Sequence, residues 1–470
     1  MITDTLARFV IDTKTAAVPP PVLEAACNAL TDTVGVALAG TLEPLGEIAT
    51  RWVQDLAARR QATFWGHDLG TSVVEAAFAN GICSHALDFD DSHPNMRGHP
   101  SATLVPAALA VGEASGAPGR DVLAAYAIGL EVGGKLALCL GNGHYLRGWH
   151  TTATAGVFGA TAVAARLWGL DAGALRKAWG LAASQMSGLV RNFGTMTKPF
   201  HAGHAARCGV FSAWMVRQGF TASDAIFDGE NNVFDTYGGN DGAPAAELVQ
   251  RLGQPWEATE PGIYVKRWPC CYSSHRPIGG LVELIQNHRL QPDEITEVAV
   301  GFLPGADTAL VSLDPRTGLQ GKFSVEYTLA ALLLDGKLNL ETFTDAMVAR
   351  PQARTLLGKV RRYRIADDKV YSGISASGYT DIAVTTPRGR FDVRVDRVPG
   401  SPAWPLTHAD RREKFMDCAA RVLGDPGAER LFELCQRCGE LSDVSELVKA
   451  TIPAAGTSRP REPGKKVLTG

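Results

Sequence analysis

The chain has 470 residues, of which 45% are hydrophobic and 20% charged, a composition typical of a globular protein. Its formal net charge of -3 indicates no global attraction to nucleic acid or to an anionic membrane, so neither partner is expected. The length exceeds what one hydrophobic core usually serves and predicts at least two domains.

The N-terminal residues, MITDTLARFV, include Asp4 and lack the basic region and the cleavage site of a signal peptide. Arg166 interrupts the most apolar stretch, which favours a buried core helix over a membrane span. Nine cysteines, an odd number at scattered spacings, indicate reduced thiols. We therefore expect a cytoplasmic protein.

Residues 1–264 are rich in apolar residues at helical spacing, separated by short turns that contain glycine. One helix begins in the PPPVLEAA segment and ends at Gly40. Another helix, TSVVEAAFANGICSHAL, has Thr71 or Ser72 available as its N-cap. Alanine and glycine on the helix faces allow close packing, and we predict one large all-helical domain over 1–264.

The pattern changes after residue 264. ITEVAVGFL alternates as a strand does, and DIAVTTPRGRFDVRVDRVPG reads as two strands around a Pro-Arg-Gly turn. Because helical patterns such as SVEYTLAALLLDG also occur, we predict a smaller α+β domain over 265–400. Helices over 401–452 are expected to return to the first domain, and 453–470 reads as a mobile tail. The predicted fold class is mainly α.

The segment HALDFDDSHPNMRGHPSATL concentrates acidic and histidine side chains between two predicted helices. Proline keeps the residue before it extended, so His99 is expected on a loop that proline rigidifies. Ser101 is a candidate N-cap of the next helix, and a helix N-terminus attracts anions. We expect functional roles for Asp88 and His99, and a simple capping role for at least one of Asp90 and Asp91.

Three further polar segments lead into predicted helices. RGWHTTATAGVFGA places His150 at a helix start, and VKRWPCCYSSHRPIGG places Lys266 and His275 before another. In FGTMTKPFHAGHAA, Lys198 precedes a proline among apolar residues, which weakens the usual interpretation of an isolated lysine as a solvated surface charge. Such residues suit proton transfer and the binding of anionic substrates.

The sequence contains none of the common cofactor and nucleophile motifs. There is no GxGxxG after a strand, no GxxxxGK[ST], no HExxH, no GxSxG and no cysteine set for an iron–sulfur cluster. We therefore expect no cofactor and no metal. His201 and His204, an HxxH pair, leave a metal-dependent hydrolase as a rival interpretation, and a non-catalytic scaffold protein is a third.

Five segments, in the same order over roughly 1–450, resemble the MmgE/PrpD family: HALDFDD…GHPSATLVPAALA, GWHTTATAGVFGA, FGTMTKPFHAGHAA, PCCYSSH and KFSVEY. That family includes methylcitrate dehydratase, cis-aconitate decarboxylase and iminodisuccinate epimerase. The resemblance implies a large helical domain, a smaller α+β lid domain and a homodimer. It also implies a small polycarboxylate substrate bound in the cleft between the domains.

The resemblance also implies which residues form the site. The matching positions of the decarboxylase branch are active-site residues, and here they are Asp88, His99, His150, Lys198 and His275. Tyr327 falls in the matching FSxxY-type segment, and Ser92 keeps the hydroxyl of a family threonine. Together with Arg97, Ser101 and Lys266, these two residues are expected to bind substrate, while His93, His201 and His204 take supporting roles.

The expected reaction is proton transfer at the carbon next to a carboxylate. One of His150, Lys198 and His275 would move the proton, His99 would be the partner acid, and Asp88 would orient or charge an imidazole. A cofactor-independent lyase, a dehydratase or decarboxylase, is the predicted enzyme. An epimerase that uses the same proton abstraction is the alternative. The loop from Asp88 to His99 is one residue longer than in the decarboxylase branch and is not the DFND-type loop of the dehydratase, so the outcome stays open.

Overall fold

The computed structural model describes residues 1–239, 241–369, 371 and 378–454. Helices dominate and the sheets are small, which confirms the predicted mainly α class with a large helical part and a smaller α+β part. Residues 455–470, most of the predicted tail, lie outside the described residues.

The N-terminal part is built from helices joined by short turns. In chain order they are α1 (Ile2–Asp12), α2 (Pro20–Gly40), α3 (Pro44–Leu56), α4 (Val73–His85), α5 (Ser101–Ser115), α6 (Gly119–Leu146), α7 (Thr151–Thr154), α8 (Gly156–Leu167), α9 (Ala172–Ala183), α10 (Thr197–Arg217), α11 (Val233–Tyr237) and α12 (Ala245–Leu248). A short antiparallel hairpin, β1 (Ala62–Phe64) and β2 (Leu69–Thr71), interrupts them, and the sequence did not predict it. Strands of three residues are too short to show a period.

Glycine lets the central helices approach closely. A Cβ at Gly81 of α4 would lie 2.7 Å from the Cα of Gly203 in α10. A Cβ at Gly129 of α6 would lie 2.9 Å from the backbone oxygen of Gly159 in α8. A methyl group at either position would push two backbones apart, which confirms the expectation of close packing through small residues.

The smaller part combines helices with a four-stranded sheet. Its elements are α13 (His275–His288), β3 (Glu297–Phe302), α14 (Gly318–Lys322), α15 (Val325–Asp335), α16 (Asp345–Val348), α17 (Pro351–Leu357), β4 (Val360–Arg364), β5 (Thr380–Thr386) and β6 (Gly389–Val395). The strand order is β4-β3-β5-β6, with β3 parallel to β4 and antiparallel to β5. The predicted strands β3, β5 and β6 are confirmed. The edge strand β4, VRRYR, was not predicted, because its charged residues leave no regular alternation of apolar and polar residues.

The buried apolar side chains form two main clusters. One joins residues of α1–α10 to the C-terminal helices α18 (His408–Gln436) and α19 (Ser445–Ala450), and the other spans Trp268 to Val384. The C-terminal helices therefore pack on the N-terminal part: a Cβ at Gly35 of α2 would lie 2.7 Å from the ring of Phe415. The residue-level domain boundaries given above stay a prediction.

Two of the described helices, α2 and α6, are long and apolar enough to cross a membrane by length and composition alone. Within the protein, 72% of the most apolar window of α2 and 94% of that of α6 are buried, as in the core helices of a folded domain. All nine cysteines are unpaired.

Candidate active site

The loop between α4 and α5 carries most of the predicted site. Ser72 caps α4, since its side chain accepts the N–H of Glu75 at 3.3 Å, which decides between the two predicted caps. The helix ends at His85, and Asp88 follows with a φ of 52°. A side chain in this left-handed region costs roughly 1 kcal/mol or more, so the surrounding contacts hold Asp88 in place.

The predicted N-cap role of Ser101 is wrong. Pro100 occupies the N-cap of α5, and Ser101 is the first helical residue. Its hydroxyl is buried between the carboxyl of Asp91 and the hydroxyl of Tyr126, at 2.6 Å from the latter. Burial raises the pKa of Asp91 to about 8, so this carboxyl is largely protonated at neutral pH. Ser101 therefore fixes the inner side of the loop, and its predicted role in substrate binding stays untested.

Basic side chains from three parts of the chain converge on one oxygen of Asp88. Its Oδ1 lies 2.7 Å from Lys198 Nζ, 3.2 Å from Lys266 Nζ and 3.8 Å from His99 Nε2. Burial opposes ionisation of Asp88, but the two ammonium groups outweigh it and hold the pKa of the carboxyl well below its usual range. The Asp88 side chain is still 33% exposed and that of Lys198 17%, so the cluster opens to solvent here.

Two imidazoles pack against each other beside this cluster, with the rings of His85 and His99 centred 4.3 Å apart and tilted by 52°. His85 Nδ1 lies 2.9 and 2.8 Å from the two oxygens of Asp90. His99 Nδ1 lies 2.7 Å from the backbone oxygen of Asp91. A carbonyl oxygen can only accept, so Nδ1 of His99 carries a proton and Nε2 faces Asp88. Burial lowers the pKa of His85 to about 4, although Asp90 opposes this, so His85 is neutral at pH 7.

His150 closes another side of the site, and it is the N-cap of α7, in agreement with its predicted place at a helix start. The centre of its ring lies 6.3 Å from the ring centre of His85 and 4.8 Å from that of Phe193. Lys198 Nζ lies over the Phe193 ring, 5.1 Å from its centre. Nδ1 of His150 is 3.1 Å from Nδ1 of His201. Burial and the charge of Lys198 hold the pKa of His150 well below its usual value, so this imidazole is neutral.

Two predicted residues are engaged elsewhere. His275 begins α13 and is fully buried, with Nε2 accepting the Trp268 N–H at 3.4 Å and Nδ1 at 3.3 Å from the Cys271 oxygen. Tyr327 lies in the smaller core and donates its hydroxyl to the Thr342 carbonyl at 2.6 Å. Among the hydrogen bonds of the described residues, neither side chain reaches Asp88 or His99. Their predicted roles stay predictions.

Ser92 and Arg97 lie in the loop but do not join the cluster at Asp88. Ser92 exchanges two backbone hydrogen bonds of 2.9 Å with Tyr264, which ties the loop to the segment before α13. Arg97, at a φ of 46°, interacts electrostatically with Asp241 and Tyr145. Binding of substrate by either residue also stays a prediction.

Lysines from outside the loop bind three consecutive backbone carbonyls of it. Lys322 of α14 donates to the Leu87 oxygen at 3.4 Å, Lys266 donates to the Asp88 oxygen, and Lys414 of α18 donates to the Phe89 oxygen at 2.9 Å. Sequence reasoning missed Lys322 and Lys414 in this role, as it missed His85 and Asp90. The matched segment KFSVEY begins at Lys322 and was a usable signal, whereas RREKF around Lys414 reads as an ordinary helix surface.

One group among the described residues is close enough to share a metal ion: His85, Asp88, Asp90 and His99, with ligand atoms within 4.8 Å of one another. Two ammonium groups already sit on Asp88, and their charge repels a cation, so this donor set does not fit a metal. The HxxH pair does not converge either. His201 faces His150, and His204 stacks on Phe200 with Nε2 3.4 Å from Cys208 Sγ.

The buried neutral histidines predict a loss of stability in mild acid. Burial lowers the pKa of His85 to about 4 and that of His275 to about 3, whereas both titrate near 6.5 when unfolded. The unfolded chain therefore binds protons first as the pH falls. The stabilising contribution of these two histidines is fully present above about pH 6.5, and below it each histidine lowers the free energy of unfolding by up to about 1.4 kcal/mol per pH unit until its folded pKa is reached. Urea midpoints between pH 8 and 4.5 measure this, and equal midpoints at pH 7 and 5 would contradict it.

Comparisons with known proteins match both parts of the chain. Residues 4–245 match the family model of the MmgE/PrpD N-terminal domain, and residues 268–439 match that of the C-terminal domain. Human cis-aconitate decarboxylase is 27% identical over 458 residues, covering 95% of this chain and 93% of the relative. Cis-aconitate decarboxylase of Aspergillus terreus is 25% identical over 470 residues, covering 95% of each chain. A cis-aconitate decarboxylase-like protein of Aspergillus oryzae is 27% identical over 476 residues, covering 95% and 96%.

Proposed function

The chain belongs to the MmgE/PrpD family, and from this premise we propose that it is a lyase of a small di- or tricarboxylate. The relatives named above are cis-aconitate decarboxylases, which makes decarboxylation the first reaction to test. The observation that carries the proposal is the cluster at Asp88, where two ammonium groups and an imidazole meet beside neutral histidines. Cations that bind carboxylate and imidazoles that move protons are what such a reaction requires.

Substrate recognition follows from the charges. Lys198 and Lys266 both lie on Asp88 Oδ1, so the site already stabilises one carboxylate oxygen in a partly buried place. A substrate carboxylate that enters beside Asp88 meets the same ammonium groups, and the low exposure of Lys266 strengthens the attraction. The proposal thus assigns Lys198 and Lys266 to the binding of the carboxylate next to the reacting carbon.

The chemical step needs charge stabilisation and one proton. The bond between the reacting carbon and the departing carboxylate breaks, and carbon dioxide leaves. The electron pair stays on that carbon and is delocalised into the substrate carboxylate next to it. Lys198 or protonated His99 then gives a proton to that carbon, and water restores the proton on the donor. No electron acceptor takes part in this balance, so the step needs no redox cofactor. We propose that Lys198, Lys266 and the imidazoles supply the charge stabilisation and the proton without any other cofactor. A similar carbanion, which keeps all its carboxylates, forms if neutral His150 removes a proton from the carbon next to a carboxylate instead, which is the route to dehydration or epimerisation.

The test is turnover in heavy water, followed by proton NMR, with a panel of malate-, citrate-, aconitate- and aspartate-like acids. The proposal expects carbon dioxide release and deuterium on the carbon that lost it. Loss of water from a hydroxy acid would identify a dehydratase, and exchange without loss of any group would identify an epimerase. No exchange or turnover with any acid of the panel would contradict the proposal. Activity that survives treatment with a chelator would exclude the metal-dependent hydrolase.

A further inference from the structure

His85 and Asp90 form a fully buried pair that has no part in the mechanism above. Both carboxylate oxygens of Asp90 lie within 2.9 Å of His85 Nδ1. Asp90 Oδ2 also lies 3.4 Å from His99 Nδ1, and the two imidazole rings are 4.3 Å apart. One carboxylate therefore stands between two histidines, of which His99 is one of the two proposed proton donors.

Stability alone does not explain the pair. His85 Nε2 is buried and has no hydrogen-bond partner within the part of the chain that the structure describes. An unsatisfied buried polar atom costs about 1–3 kcal/mol, and a buried carboxylate adds its own desolvation cost. Apolar residues of the same size would fill the place at lower cost. A role in the neighbouring site accounts for the pair better than packing does.

The geometry points to His85 as a positioning residue for His99: by holding Asp90, it sets the pH range over which His99 keeps its proton. The stronger hydrogen bond of His99 Nδ1 goes to the Asp91 carbonyl at 2.7 Å, because Asp90 is engaged by His85. Without that engagement, Asp90 can turn its full charge to His99 and stabilise the imidazolium. This inference rests on the proposed function only in naming His99 as an acid.

The other charged groups around His99 oppose one another. Asp88 faces Nε2 at 3.8 Å, but Lys198 and Lys266 offset its charge. The neutral rings of His85 and His150 complete the surroundings, and the charge of Lys198 acts on His150. Among the salt bridges of the described residues, Asp90 pairs with His85 and His99 and with no lysine, so a change in the hydrogen bonding of Asp90 acts on His99 directly.

Three variants separate the possibilities. His85→Asn keeps an N–H donor near the position of Nδ1, His85→Leu removes the donor, and Asp90→Asn removes the charge. NMR titration of full-length protein labelled in histidine rings gives the pH midpoint of His99. We expect His85→Leu to raise this midpoint by about one pH unit, Asp90→Asn to lower it by a similar amount, and His85→Asn to leave it within a few tenths. The acid limb of the kcat profile should move in the same directions.

If the pH midpoint of His99 is the same in all variants, or shifts in the same direction in His85→Leu and Asp90→Asn, the inference is wrong. If His85→Leu does not fold, His85→Ala removes the same N–H donor in a smaller side chain, and a midpoint equal to that of the wild type in this variant would refute the inference. His67→Asn is the matched control, because His67 is a buried histidine stacked on Phe64 near the hairpin, and it should leave His99 unchanged. The NMR titration needs no turnover. An inactive wild-type protein would therefore refute the proposed function alone, and unshifted midpoints in an active one would refute the role of His85 alone.

Discussion

Replacement of Lys198 by alanine is expected to lower kcat by about 10²–10⁴-fold, because proton donation and stabilisation of the developing charge are both lost. Lys198 Nζ lies 2.7 Å from Asp88 Oδ1, and the Lys198 side chain is still partly exposed to solvent, where a substrate can reach it. Lys266 remains on Asp88 in this variant, so the carboxylate keeps a counter-charge and the fold should persist. The measurement is the rate of deuterium incorporation by NMR, beside the circular dichroism of both proteins.

Lys177→Ala provides the matched control, since Lys177 is an exposed lysine on α9. Its rate should equal that of the wild type. Lys198→Arg should recover little of the activity, because a guanidinium keeps the charge but gives up a proton far less readily than an ammonium. A Lys198→Ala protein that stays within threefold of the wild-type rate would remove Lys198 from the mechanism. Full activity in Lys198→Arg would limit its role to binding.

Local sequence patterns predicted the helices and strands whose apolar residues recur at regular spacing. Helices such as α2, α4 and α15 and the hairpin of β5 and β6 show clear apolar spacing, and the structure confirms them. The hairpin of β1 and β2 and the edge strand β4 are too short or too charged for such a pattern. The same reasoning placed Ser72 at a helix start correctly and Ser101 incorrectly. Proline at position 100 takes the cap, and the hydroxyl of Ser101 finds partners across the loop.

The site was predictable where its residues stand in one polar segment and unpredictable where they come from far away. Asp88 and His99 lie in the loop itself, and the resemblance added Lys198, which the structure brings to Asp88. The lysines that bind the loop carbonyls lie 178, 235 and 325 residues further along the chain. No local pattern specifies such a contact, because it depends on how distant elements pack. His85 was overlooked for a related reason: a histidine at a helix end looks ordinary until Asp90 folds back onto it.

Replacement of Lys414 by methionine is expected to destabilise the protein by about 3–5 kcal/mol, because it leaves the carboxylate of Asp32 buried without a counter-charge. Lys414 Nζ lies 2.6 Å from Asp32 Oδ1 and donates to the Phe89 carbonyl at 2.9 Å, and its side chain is 4% exposed. Burial raises the pKa of Asp32 although Lys414 opposes this, so the carboxylate depends on that ammonium group. Urea denaturation measures the loss, with Lys449→Met of α19 as an exposed control.

The double variant Asp32→Leu/Lys414→Met separates stability from positioning. It removes both charges together, and replacing a buried ion pair by apolar side chains is often neutral or stabilising, so most of the lost stability should return. Activity should not return with it, because the Phe89 carbonyl, next to Asp88 and Asp90, still lacks its donor. If the double variant regains both stability and turnover, the bond to Phe89 does not position the loop. If Lys414→Met unfolds at the wild-type urea concentration, the buried pair contributes nothing to the fold. Recovered stability with low turnover is the result expected of a lysine that reaches from α18 to hold the loop between α4 and α5 in place.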